Sequence, residues 1–219
     1  MQNFAAGILM HFMNVTRAIR YMRENNWDAA DIGIYDGDQF INNDAYIGGM
    51  HCPDTCLIAP FFHDGELLGY VAAISHTTET GGIEPGGMCP SATEVWHDGL
   101  IIPLVKIAER GKVRRDVMTM FLRGTRDPRT WELDLKARMA GNERAIRRLK
   151  ELADEFGVDF FKKASSALVK EGEDRARVKF KELKPGIYSA RTYCDPLGAG
   201  KDKIAVVGVN GAGKSTFLK

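Results

Sequence analysis

The first 103 residues contain no lysine and only three arginines, Arg17, Arg20 and Arg23, against thirteen acidic residues, a net charge of −10. An acidic, glycine-rich segment of this kind suits a cation. The rest of the chain carries 27 basic and 16 acidic residues. Their signs are interleaved along helix-like stretches, which reads as solvated helix faces and not as a nucleic-acid groove. The four cysteines, Cys52, Cys56, Cys89 and Cys194, form no CxxC pair and lack structural-zinc spacing, so reduced thiols and a cytoplasmic protein are expected. No apolar run is long enough to cross a bilayer. Met1 to Met13 is apolar but has neither a basic n-region nor a small-residue cleavage site, so it does not read as a signal peptide. Internal repeats and low-complexity tracts are absent. With 44% hydrophobic and 27% charged residues there is enough apolar material for a core, which excludes a disordered or collagen-like chain.

What is present changes in texture along the chain. Ile8, Leu9, Phe12, Val15, Ile19 and Met22 recur at helical spacing and predict an amphipathic first helix. From Ile32 to about Pro103, short β-type runs alternate with glycine and Asp/Asn turns. The clearest unit is a hairpin, Thr55–Phe62 and Glu66–Ser75, around Asp64-Gly65, because both residues of that dipeptide tolerate positive φ. The continuous apolarity of both strands predicts burial on both faces. After Pro103 helices are expected to dominate. Asp127 caps and Pro128 opens a long one ending at Gly157. A second stretch, 159–183, is either one helix or two split at Gly172. Strands are expected over Ile187–Cys194 and Lys203–Val207. The fold class is therefore α+β. Three regions are expected: a β-rich region with an N-terminal helix over 1–127, a helical region over 128–184, and C-terminal strands over 185–219.

The hairpin gathers the most informative side chains. If Asp64-Gly65 is a two-residue loop, His76 faces Pro53; a three-residue loop puts it opposite Cys52. Either register brings His76 beside His51 and Asp54 at the open end of the hairpin. Two histidines and one carboxylate form a recurring ligand set for catalytic divalent metals, with coordination positions left for water or substrate. The alternative, in which each histidine is merely hydrogen-bonded at a strand end, stays open on the residues alone. His11, His63 and His97 show no comparable partners, and His63 in the turn reads as solvated. Gly81-Gly82-Ile83-Glu84-Pro85-Gly86-Gly87-Met88-Cys89-Pro90 follows as a sharply bent loop, either walling a site or simply lying on the surface. Glu79 and Glu94 are carboxylates close by in sequence.

Several stretches resemble the hydantoinase B family: Asn43-Asp44-x-Tyr46-x-Gly48-Gly49-x-His51-x-x-Asp54, Phe62-His63-Asp64-Gly65-Glu66-Leu67, Ser75-His76 and Gly81-Gly82-Ile83-x-Pro85-Gly86. Within it, Ser75 to Thr80, Gly87 to Glu94 and Trp96 to Pro103 are similar to the α subunits of acetone carboxylases. The likeness covers roughly residues 5–200. It implies a divalent metal, manganese in that group, at His51, Asp54 and His76; zinc or iron would suit the same donors. It further implies a hetero-oligomer in which a hydantoinase A-like β subunit uses ATP, beside a small γ subunit. The α subunit then joins activated ketone and bicarbonate to a 3-oxo acid such as acetoacetate, an ATP-dependent carbon–carbon ligase reaction. Related members open hydantoins or 5-oxoproline instead. Catalytic residues beyond the metal ligands are not identifiable from the sequence. Family members are several times longer, so the chain is expected to be part of a larger multi-domain subunit and inactive alone.

The last sixteen residues, Ile204 to Lys219, hold a GxxxxGK[ST] match resembling an ABC-type Walker A segment, with Gly208, Gly213, Lys214 and Ser215 as the nucleotide-contacting candidates. No downstream strand supplies a Walker B carboxylate, so ATP hydrolysis is expected at the partner subunit and not here.

Overall fold

Val15, Ala18, Ile19 and Met22 repeat at helical spacing, and α1 (Leu9–Glu24) forms over them. The structure is a computed structural model that describes residues 9–29, 31–87, 89–184 and 186–189. Two compact units divide the chain, Met1–Lys170 and Glu171–Lys219.

The first unit is built on an antiparallel sheet of β1 (Gln39–Asn42), β2 (Asp54–His63), β3 (Glu66–His76), β4 (Val105–Glu109) and β5 (Lys112–Val113), in the order β3-β2-β1-β4-β5. The two-residue period of a strand sends alternate side chains to opposite faces. Phe40, Cys56 and Ile58 pack with Ala18, Ile19 and Met22 of α1. Ile41, Leu57 and Ile107 pack on the other face with Met118 and Phe121 of α2 (Arg115–Arg123) and with Trp131, Leu135 and Met139 of α3 (Pro128–Phe156). Helix, sheet and helices thus make three layers, and β2 is apolar from Cys56 to Phe62, where both its faces are covered.

The N-terminus of α3 forms as its sequence dictates. The Asp127 carboxylate accepts from the Thr130 N–H, Pro128 occupies the first turn, and Gly157 ends the helix at φ 81°. α4 (Val158–Lys181) runs through Gly172 without a break. Its part in the second unit is exposed and laced by Arg175–Glu171 and Arg177–Glu173 pairs four residues apart. Ile187–Ser189 have no regular structure. The remaining C-terminal strand positions, with Gly208, Gly213, Lys214 and Ser215, lie outside the described residues. Among the described residues no helix is long and apolar enough to cross a membrane.

One hairpin is added to what the sequence announced, and one expectation is corrected. Helices dominate the described residues after Pro103, but β4 and β5 first form a hairpin around Arg110-Gly111, with φ 48° and 79°. An arginine at positive φ is costly, so this turn carries none of the Asp-Gly or Asn-Gly signal that marks such loops. β3 is not buried on both faces. It is the edge strand of the sheet, and most of its residues are half-buried.

Asn43, fully buried, fastens the loop before β2. Its amide donates to Cys52 O (2.7 Å) and Leu100 O (2.9 Å), and its oxygen accepts from the Ile102 N–H (2.6 Å). Asn43→Leu keeps the bulk but strands three main-chain groups, two of them buried, so it should destabilise the chain by about 3 kcal/mol, read from urea unfolding.

Candidate metal centre

The hairpin turn places its two central residues at positive φ, Asp64 at 46° and Gly65 at 80°, as a two-residue loop requires. Next to the loop His63 faces Glu66 and Phe62 faces Leu67, the register expected from the turn. A bulge between Phe61 and Phe62 then inserts one extra residue on β3, so that Phe61 faces Gly69. From there to the open end the ladder is shifted by one. His76 consequently stands opposite Asp54, and not opposite Pro53 or Cys52 as the turn alone predicts.

Residues directly opposite in an antiparallel pair point to the same face. Asp54 shares parity with Cys56 and Ile58, and His76 with Ile74 and Ala72, so both side chains emerge on the α1 side of the sheet. His51 arrives differently. The Asp54 N–H donates to His51 O (3.0 Å), a turn that folds the His51 ring back over Asp54. Pro53 sits inside this turn and cannot donate, while its carbonyl accepts from the N–H groups of Thr55 (3.0 Å) and Thr77 (2.8 Å) and from the Thr77 hydroxyl (3.0 Å). The two bonds from Thr77 pin the two strand ends together.

The outcome is a group of His51, Asp54 and His76 whose ligand atoms all lie within 4.8 Å of one another. Asp54 Oδ2 is 3.1 Å from His51 Nε2, and Oδ1 is 3.2 Å from His76 Nδ1. The two imidazoles are 5.0 Å apart, centre to centre. The carboxylate is 6% exposed, whereas the His76 side chain is 50% exposed, so the group is open on the histidine side. Two imidazole nitrogens and a carboxylate oxygen are a donor set that manganese, zinc or iron(II) takes. The nearby thiols are poor competitors: burial pushes Cys52 up to about 11 and Cys56 up to about 12, which keeps both protonated.

A family model described as hydantoinase B/oxoprolinase matches residues 1–216. The chain belongs to that family. It is 36% identical over 197 residues to the acetophenone carboxylase delta subunit of Aromatoleum aromaticum, covering 90% of this chain and 28% of that protein. Against the acetone carboxylase alpha subunit of Xanthobacter autotrophicus the identity is 33%, over 90% of this chain and 26% of that one. In structure it resembles the ATP-dependent caprolactamase of Pseudomonas jessenii, with a TM-score of 0.71, 31% identity, and 81% of this chain covering 30% of that one. The chain therefore spans between a quarter and a third of the length of these family members.

Sequence reasoning missed two histidines. His63 is not solvated, because its Nε2 lies 2.8 Å from Asp154 Oδ1 of α3. His11, for which no partner was expected, has its Nε2 3.1 Å from Asp54 Oδ2. The available signal was its place on the α1 stripe, four residues before Val15.

The glycine-rich loop borders the same end of the hairpin. A Cβ on Gly87 would stand 3.0 Å from the Pro53 ring. The loop is anchored by Glu79, whose carboxylate accepts from the Gly81 N–H (2.6 Å), the Thr125 hydroxyl (2.9 Å), the Arg126 N–H (2.6 Å) and the Arg126 guanidinium (2.6 Å). At Gly81, with φ 97°, a Cβ would lie 2.0 Å from Gly124 O, so only glycine permits this close approach. Glu79 thus acts as a clamp between this loop and the α2–α3 connection. Glu94 pairs with His97 at 3.0 Å.

Burial alone would raise the Glu79 carboxyl, but the hydrogen bonds from Arg126, Thr125 and Gly81 outweigh it and hold it below its ordinary 4.5. A lowered folded value means the stabilisation is complete above the unfolded value and fades as pH falls through the folded one. Wild type should therefore lose stability below about pH 4.5. Glu79→Gln should be about 2 kcal/mol less stable at pH 7 and flatter across that acid range, measured by urea unfolding at both pH values.

Proposed function

We propose that this chain is the metal-bearing portion of the catalytic α-type subunit of an ATP-dependent ketone carboxylase, with His51, Asp54 and His76 as the protein ligands of a divalent ion, manganese for preference. The reaction assigned is the joining of an activated ketone to activated bicarbonate, giving a 3-oxo acid such as acetoacetate. ATP is consumed at a hydantoinase A-like β subunit, and a small γ subunit completes the hetero-oligomer. The observation that carries this reading is the convergence of those three ligand atoms within 4.8 Å. Identity to acetophenone and acetone carboxylase subunits over 90% of the chain supports it.

A divalent ion bound there supplies Lewis acidity toward a carbonyl or enolate oxygen. The side chains set the conditions for it. One carboxylate and two neutral imidazoles offset only part of a divalent charge, which leaves the site attractive to an oxyanion. Asp54 is buried beneath the two rings, so its charge is poorly screened by water. Gly87 seated against Pro53 limits water on one side, and the exposed flank of His76 is the way in for substrate.

A second reading has a specific observation behind it. The likeness to the ATP-dependent caprolactamase, at 31% identity and a TM-score of 0.71, supports ATP-driven opening of a cyclic amide at the same site. The same three residues would hold an ion whose Lewis acidity would equally suit an amide carbonyl.

Metal binding and assembly test these readings in turn. Titrated with Mn2+, the 219-residue chain should bind one ion, and His51→Ala or Asp54→Ala should each weaken binding by at least about 10-fold. Unchanged binding in both variants overturns the site. With a hydantoinase A-type subunit and a γ subunit added, ATP consumption should depend on acetone or acetophenone plus bicarbonate; dependence on caprolactam or 5-oxoproline instead selects the amide reading.

A further inference from the structure

His11 touches Asp54 yet lies outside the group formed by His51, Asp54 and His76. It comes from α1, 43 residues before Asp54. On that helix His11, Val15, Ala18, Ile19 and Met22 fall on one stripe, spaced by three, four and seven residues. The lower part of the stripe is apolar, and Ala18, Ile19 and Met22 are buried against the sheet. One turn further up, the sheet surface beneath the stripe changes from Cys56 and Ile58 to Asp54. The stripe changes with it, from apolar residues to histidine. The His11 side chain is 15% exposed, and its Nε2 lies 3.1 Å from Asp54 Oδ2.

The contact is held from both sides. Gly48, in the loop that leads to His51, packs on α1 so closely that a Cβ would stand 2.6 Å from Asn14 O and 3.0 Å from Ala18 N. Helix and ligand-bearing loop are therefore docked directly on each other, and His11 meets Asp54 where they join.

We propose that His11 is a positioning residue for the metal centre: its Nε2–H donates to Asp54 Oδ2, fixes the plane of that carboxylate, and couples the docking of α1 to metal binding. This inference rests on the metal reading above and adds a residue and a linkage to it. A carboxylate ligand with one oxygen tethered loses less rotational freedom on binding an ion, and removing such an outer partner typically costs 10–100-fold in affinity. Coupling is reciprocal. If α1 orders the ligand through His11, an ion on Asp54 must in turn hold α1 more tightly to the sheet.

The test uses the full 219-residue chain and Mn2+ alone. His11→Leu keeps the apolar bulk and removes the donor; His11→Gln returns an N–H at the position of Nε2. Leu should weaken Mn2+ binding by about 10–100-fold, and Gln should recover it to within about threefold of wild type. Hydrogen exchange supplies an independent readout: adding Mn2+ should slow exchange of the α1 amides in wild type and the Gln variant, and leave it unchanged in the Leu variant. Should the Leu variant not fold, His11→Asn, polar but too short to reach Oδ2, takes its place. Equal Mn2+ affinity in wild type and Leu, with His51→Ala still defective, overturns the role of His11 and leaves the metal site standing. Equal loss in the Leu and Gln variants also overturns it, because a packing defect or direct ligation then explains the effect. Absence of Mn2+ binding by wild type overturns both readings together.

Discussion

The pairing of Asp54 with His76 across the open end of the β2–β3 hairpin is the constraint on which the site depends. A ladder fixes which residues stand opposite one another, and a shift of one residue exchanges the two faces of a strand. Left to its turn, this hairpin would set His76 against Pro53, and its imidazole would leave the sheet on the side away from Asp54. The one-residue bulge beside Phe61 reverses that outcome over the rest of the strand. A carboxylate and an imidazole are thereby brought to 3.2 Å from positions 22 residues apart.

The surrounding layers explain why that arrangement is held. β2 is covered on both faces, so Asp54 begins a strand that has no freedom to twist out of register. Thr55, of opposite parity, is fastened to the other layer, where its carbonyl and hydroxyl both accept from the Arg138 guanidinium. The two helical layers thus grip consecutive residues of one strand from opposite sides. His51 is added by a tight turn around Pro53, the glycine-rich loop closes over that proline, and the Glu79 clamp ties the loop to α2 and α3. Main-chain turns and long-range side-chain clamps together set these three side chains around one small volume.

The elements that were legible in the sequence share a short-range cause. α3 is announced by Asp127 and Pro128 within one turn of its start, and the β2–β3 turn by Asp64-Gly65. The candidate ligand set could be listed for the same reason, because a two-residue loop makes the ends of its strands neighbours. What was hidden lacked local chemistry of its own. β4 and β5 are short, carry charged residues such as Lys106 and Glu109, and turn at an Arg-Gly pair that gives no hairpin signal. β3 reads as a strand with two buried faces because its composition is apolar, yet it forms the sheet edge. The bulge left one faint trace, Gly69, since a glycine inside a strand often marks such an irregularity.

By itself, then, the sequence determined the periodicities, the caps and turns, the family resemblance and three candidate donors near one hairpin end. Each depends on residues close in the chain or on motifs that remain visible without coordinates. Tertiary structure alone decided the final register, the side of the sheet on which the donors emerge, and the arrival of His11 from a helix 43 residues away. The physical reason is that strand parity propagates. Whether a side chain faces one layer or the other is set by every pairing between it and the turn, and by which helix covers that face, and neither is encoded at the residue itself.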